Sequence, residues 1–575
     1  MAACGRCPGQ PPPATSAPVP EPVDTRVLAL ADAYLDGYFQ RNPDQITLYG
    51  IPGRPQDKLP DNSLEALNAW QAKEDGWLAQ ARAIDPAGIT AEPLRATYAI
   101  VREQLESSIG VRVCRNELWM VSQFVNGWQV QDGYTITIQP VGTDAARREA
   151  LARWSLLPRY IDTEISNLRA GLKAGYSAPK GNVRLVIDQM DTLIKTPLGE
   201  SPFDSPSVRD KTPEFQQHFD LLVREQIVPA FVRYRDFLTQ EYLPAAREAI
   251  AVSANPDGAA CYDASVRYHS SLPVPAREVH ATGLALIDQL DAEMKAIGER
   301  SFQTGNVPKL LLRARTDRKY LFKSREDLIG YSQAALARAK GKMHDWFGLL
   351  PKADVVIQPY PKFREKNGPN EYNPPAEDGS RPAVFFINAY QAEKHSRVES
   401  ESTAFHETIP GHHLQGAIAL ERKEIHPIGR YLGSSGYTEG WALYTERLAD
   451  EMHLFSSDLD RLGMLSSQAL RAARLVVDSG IHTLGWTRQQ SIDYMLAHTA
   501  EDKDDVASEV DRYIIYPGQA TAYMLGKLEI SKAREEAQRV MGQKFDIKSF
   551  HDRVLEDGAV PVSFLHAKIS AWAAR

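Results

Sequence analysis

Cysteine is scarce in this chain: its 575 residues include only Cys4, Cys7, Cys114 and Cys261. That excludes a disulfide-dense scaffold and a four-cysteine zinc module within the fold. Cys4 and Cys7 form a CxxC with no second pair to follow. Cys114 and Cys261 can pair in an oxidising compartment or stand as two buried thiols. Basic charge is not in excess either. The net charge of −8 disfavours a nucleic-acid partner, whose phosphates need a basic surface. No apolar run reaches membrane-spanning length, and no fixed-period repeat points to a solenoid. No GxSxG marks a serine nucleophile, and no Walker-type loop marks a phosphate site.

What remains is a chain with 43% hydrophobic and 24% charged residues, long enough to bury a large core. Residues 1–24 are dominated by Pro, Gly, Ala and Ser and read as a disordered tether. Ala2-Ala3-Cys4 resembles the end of a bacterial lipoprotein signal, with Cys4 as the candidate lipid anchor. The charged and apolar parts of a signal peptide are not in the sequence. A trimmed leader implies a periplasmic or membrane-anchored lipoprotein; a coincidental tripeptide implies a cytoplasmic protein.

Residues 25–575 read as one large, mainly α domain. From Thr25 to Arg41 the apolar residues Val27, Leu28, Leu30, Ala31, Tyr34, Leu35 and Tyr38 recur at helical period,. Similar patterns cover 63–84, 91–108, 145–174, 213–249, 275–299, 325–347, 456–477, 487–499, 505–516 and 518–540. Two segments break the pattern. Asp354–Tyr360 and Ala383–Tyr390 are rich in β-branched and aromatic residues, which predicts a small antiparallel sheet with a loop between its strands. Ser396 and Glu399 fit a capping box for a helix from about Arg397 that carries His406 and Glu407 in its third turn. A second helix follows Ser434-Ser435-Gly436, with Glu439 near its start.

Residues 405–413 read FHETIPGHH. This begins like the HExxH of zinc proteases, in which residues four apart share a helix face. Here the fourth position after His406 is Pro410, and the later imidazoles are His412 and His413. In a regular helix six residues span about one and two-thirds turns, so His412 would face away from His406. Pro410 breaks that helix, and Gly411 tolerates backbone angles other residues avoid. A wide turn can therefore return an imidazole beside His406. Glu439 offers a third ligand for Zn²⁺. The alternative is that these histidines are capping or core residues.

Four motifs carry a resemblance to a known family. HETIPGHHLQ, GYTEGWALYTERL, RLVVDSGIHTLGW and RYIIYPGQATAYMLG occur in that order over the C-terminal third. They resemble the bacterial family called domain of unknown function 885, which is similar to the gluzincin metallopeptidases. The resemblance implies a two-lobed helical body with a deep channel and a small edge-strand sheet. Its metal-site half would span about 350–575. Carried over by residue, it makes His406, His412 and Glu439 the zinc ligands, with His413 as the alternative to His412, and Glu407 the general base. Tyr523 is the first candidate to stabilise the oxyanion, with Tyr516, Tyr513, Arg512 and His482 as others, and Asp478 as a partner orienting His482. The strand with Phe386 and Asn388 would hold an extended substrate by its edge. The implied activity is hydrolysis of short peptides. A non-peptide amide or ester on the same fold, or peptide binding without catalysis, are the alternatives.

Overall fold

The computed structural model describes residues 21–360, 370–375 and 382–575 of the chain. The Cys4 anchor, the CxxC and nearly all of the expected tether lie outside the described residues. The fold is mainly helical, as the periodicity predicts, and no described helix is long and apolar enough to cross a membrane.

Helices form where apolar period and end signals agree. The longest, Asp458–Leu484, opens on Ser457, whose side chain accepts from the Leu459 amide. Asp458 and Asp460 in its first turn complement the helix dipole, and Gly485 ends it in the left-handed conformation,. It runs past the expected end at 477, so Asp478 and His482 ride on it. The expected helix over 145–174 is divided into Asp144–Trp154 and Leu157–Lys173, with Pro158 at the second position of the latter, where a missing amide hydrogen is harmless.

Six helices and three strands position the site. The helices are α1 (Ala276–Ser301), α2 (Ser400–Glu407), α3 (His412–Glu421), α4 (Ser435–Glu451), α5 (Asp458–Leu484) and α6 (Ala522–Met541). The strands are β1 (Val355–Pro359), β2 (Glu371–Asn373) and β3 (Ala383–Ile387), in the order β1-β3-β2. The sheet is mixed, which corrects the expected antiparallel pair. β1 and β3 run parallel, and the segment read as a loop contributes β2, antiparallel to β3. β3 is thus central, with both of its edges paired.

Buried apolar side chains gather in two core clusters, and the site helices lie where these meet. α4 gives Leu443 to one cluster and Tyr437, Trp441, Tyr444 and Leu448 to the other. α6 divides likewise, with Met524 and Leu525 in one and Ile530, Ala533 and Ala537 in the other. α5 packs along α1 within the first cluster. α4 and α6 cross with backbones in contact. A Cβ on Gly526 would stand 1.7 Å from the Gly436 carbonyl oxygen, and one on Gly440 would stand 2.5 Å from the Gly526 carbonyl carbon. Glycine at these positions brings the helix of Glu439 against the helix of Tyr523.

Candidate metal centre

α2 starts at Ser400 rather than near Arg397, because the capping box does not form. The Ser396 hydroxyl donates to the Ala314 carbonyl at 2.7 Å instead, and Glu399 precedes the helix in a helical backbone conformation. His406 and Glu407 therefore occupy the second and last turn of α2. The chain then makes the wide turn that Pro410 and Gly411 predict. The Gly411 amide donates to the Phe405 carbonyl at 3.0 Å and the His413 amide to the Thr408 carbonyl at 3.0 Å. A Cβ on Gly411 would meet the His406 carbonyl oxygen at 1.9 Å, so only glycine fits. The Trp441 indole, on α4, donates to the Pro410 carbonyl at 3.0 Å and fastens the turn. α3 begins at His412.

This turn swings the His412 ring beside His406. Their centroids are 4.8 Å apart and their planes 87° apart. Glu439, on the first turns of α4, completes the cluster. Its Oε2 lies 3.3 Å from His412 Nε2 and 3.8 Å from His406 Nε2. One donor atom of each residue lies within 4.8 Å of the others, and this is the one such group found among the described residues. Tetrahedral zinc with ligands at about 2.0–2.2 Å sets donor atoms roughly 3.4 Å apart. Two neutral imidazoles and one carboxylate are the donor types zinc takes at catalytic sites. The residues fit that ion.

Glu446, outside the ligand set expected from the motifs, stands behind His406. Its buried carboxylate accepts from His406 Nδ1 at 2.8 Å, Ser467 Oγ at 3.1 Å and Gln468 Nε2 at 2.9 Å. This bond directs the free Nε2 of His406 toward Glu439 and His412, as a carboxylate behind a metal-ligating histidine does. A signal was present: Glu446 follows Glu439 by seven residues, about two turns on the same helix face. Burial alone would pull His406 down, but the neighbouring carboxylates of Glu439 and Glu446 hold it up at about 9. Burial would raise Glu439, yet the neighbouring His412 and His406 hold it far below the usual carboxylate range.

The two late histidines face different ways: His412 joins the cluster and His413 does not. His413 turns away from the cluster: Nε2 donates to the Ala353 carbonyl at 3.0 Å, leaving Nδ1 to accept from the Tyr372 hydroxyl at 3.1 Å. Burial pushes it down to about 4, so it stays neutral.

His406, His412, Glu439 and Glu407 line one cavity of about 450 Å³ together with Tyr372 of β2, Tyr523 of α6, and Arg471 and Arg474 of α5. Neither the Glu407 carboxylate nor the Tyr523 hydroxyl makes a hydrogen bond to another described residue. Tyr523 is the one oxyanion candidate brought to this cavity. His482 is fully buried elsewhere, accepting from the Val252 amide at 2.9 Å and donating to the Tyr513 carbonyl at 3.0 Å. Burial takes it down to about 3, and both ring nitrogens are engaged. Asp478 does not orient it, accepting from the Gly518 amide at 3.0 Å instead. Tyr513 donates to Glu509 at 2.6 Å. Arg512 is held between Glu509 and Gln519 at 3.0 and 2.8 Å, and Tyr516 packs edge-on against His269.

The substrate-strand expectation needs correction. Phe386 stacks on Tyr360, and Asn388 borders a neighbouring cavity of about 600 Å³. β3 has no free edge to offer. The strand beside the candidate metal cluster is β2, whose Glu371 and Tyr372 border the cavity and whose outer side pairs with no other strand among the described residues.

Residues 43–569 match a family described as "Bacterial protein of unknown function (DUF885)". No curated protein matches the chain. Five solved chains match this one, and two of them are each described as a "putative lipoprotein". The one from Colwellia psychrerythraea is 25% identical, with a TM-score of 0.87 over 96% of this chain and 99% of that one. The one from Shewanella oneidensis, described as of unknown function, is 17% identical, with a TM-score of 0.73 over 94% of this chain and 99% of that one.

Proposed function

The chain belongs to the DUF885 family of bacterial proteins of unknown function, and from its own site we propose that it is a zinc-dependent peptidase acting on short peptides. The observation that carries the proposal is the convergence of His406, His412 and Glu439 with Glu407 on the same cavity. This is the donor set and adjacent acid that the resemblance to gluzincin metallopeptidases leads one to expect.

His406, His412 and Glu439 would hold the ion, with Glu446 fixing the His406 ring. Zinc held there supplies Lewis acidity that makes water a nucleophile at neutral pH. Glu407 takes the proton from the attacking water and returns it to the leaving amine. Tyr523 donates its hydroxyl hydrogen to the oxygen on which negative charge develops. The outer edge of β2 pairs with the extended peptide backbone and keeps the scissile bond in register. Lipidation at Cys4 belongs to the same reading, supported by the description of the Colwellia psychrerythraea structure as a "putative lipoprotein".

Elemental analysis and a peptide-library digest test it. One zinc per chain is expected, lost in His406→Ala. Glu407→Gln should keep the zinc and lower turnover by about 10²–10⁴-fold. Full activity in that variant, or a purified protein that takes up no zinc, rules the reading out.

A further inference from the structure

α5 aims two guanidinium groups at the metal cavity, and they are satisfied very differently. Arg474 is braced: Nε donates to the Tyr513 hydroxyl at 3.0 Å and Nη2 to Glu509 at 2.8 Å, while the group lies 4.5 Å from the Tyr523 ring centre. It is 5% exposed, and its Nη1 is buried without a hydrogen-bond partner. Arg471, one turn earlier on the same face, bonds among the described residues only through Nη1 to Ser467 of its own helix, which leaves Nη2 and the buried Nε without described partners. Glu446, Glu399 and Glu501 feel the charge of Arg471, yet none forms an ion pair with it. Glu446 is engaged by His406 and Gln468. Glu509 is taken up by Arg474, Arg512 and Tyr513.

A guanidinium bordering a cavity with open donors is a receptor for a planar anion, which it binds through two parallel hydrogen bonds. We propose that Arg471, backed by Arg474, binds a carboxylate of the substrate, so that the enzyme selects peptides carrying a negative charge close to the scissile bond. Arg471 makes the contact. Arg474 is a positioning residue that holds Tyr523 and adds to the local positive field. The carboxylate comes either from a free C-terminus, in which case cleavage falls near the end of the chain, or from an acidic side chain. This selectivity rests on the peptidase reading, whereas the anion contact itself does not.

Binding of N-acetylated pentapeptides to zinc-loaded Glu407→Gln protein, followed by calorimetry, tests the contact without turnover. Three ligands are compared: a neutral sequence with a free C-terminus, its C-terminal amide, and an amide with a glutamate beside the central bond. At least one acidic ligand should bind about tenfold or more tighter than the neutral amide, a gap of about 1.4 kcal/mol. Adding Arg471→Gln should erase that gap while leaving the neutral amide unaffected, and Arg471→Lys should restore part of it. Preference for the free C-terminus identifies the terminal carboxylate, and preference for the glutamate amide identifies a side chain. Equal binding of all three ligands, no binding of any, or equal weakening of all three by Arg471→Gln overturns the proposal. Discrimination without cleavage by the wild-type protein would sink the peptidase reading and leave the anion site standing. Cleavage without discrimination would do the reverse.

Discussion

Glu446 sits where no substrate can reach it. Its side chain is wholly buried, and a buried carboxylate persists only when hydrogen-bonded. Here His406, Ser467 and Gln468 supply the donors, so its charge acts through the His406 ring. Glu446→Gln keeps the shape and removes the charge that favours a donating Nδ1. Zinc affinity should fall about 10–100-fold, read by competition against a chromophoric chelator, with one zinc still bound at saturation. Unchanged affinity would mean the contact is packing alone. At this scale the sequence made His406, Glu407 and Glu439 legible, because a histidine next to a glutamate and an acid early in the next helix are local patterns. The choice of His412 over His413 was not local. It depends on where Ala353 and Tyr372 place a carbonyl and a hydroxyl, and both are distant in sequence. The same holds for His482, whose neighbours in the motif suggested chemistry while Val252 and Tyr513 fix it in the core.

The crossing of α4 and α6 shows how an element contributes to a site through what it omits. Gly436 and Gly440 are one helical turn apart on α4 and face Gly526, so Glu439 and Tyr523 can border one cavity. Gly526→Ala puts a methyl group 1.7 Å from a carbonyl oxygen, an overlap that only separation of the helices relieves. It should cost about 3 kcal/mol or more, toward the top of the range for overpacked interiors, and weaken zinc binding as well. Gly330→Ala is the control: its site within a helix has nothing within 4 Å of the added carbon, and helix propensity makes the change neutral or stabilising. Denaturant unfolding of both variants checks the contrast; equal stability would remove the crossing from the account. Helices were legible because their period is a property of each segment. The sheet was misread because strand direction is a property of pairs. A three-residue strand inside a Pro- and Asn-rich stretch leaves almost no period to detect, and without β2 the β1–β3 pair looked like a hairpin.

Across the whole molecule, the candidate metal residues and the one disulfide among the described residues serve different parts of the chain. Cys114 and Cys261 are bonded across 147 residues, which settles the choice between a pair and two thiols. The bond lies inside the first core cluster and ties the short turn after Glu92–Val111 to the helix Gly258–Ser270. All three proposed metal ligands follow it by well over a hundred residues. Closing so long a loop removes denatured-state entropy equivalent to about 5 kcal/mol in the chain-entropy account, with measured bridges typically nearer 2–4. Reduction, or the double variant Cys114→Ala with Cys261→Ala, should therefore lower the melting temperature by a few degrees. Zinc stoichiometry and affinity at 25 °C should stay unchanged, since none of the bonds that orient His406, His412, Glu439 or Glu446 involves either cysteine. Differential scanning calorimetry beside a zinc titration reads both quantities. Loss of zinc on reduction would mean that the two core clusters couple through α4 strongly enough for the bridge to hold the ligands in place. Retention of zinc with a lowered melting point would assign the disulfide to stability and the α2–α4 cluster to chemistry.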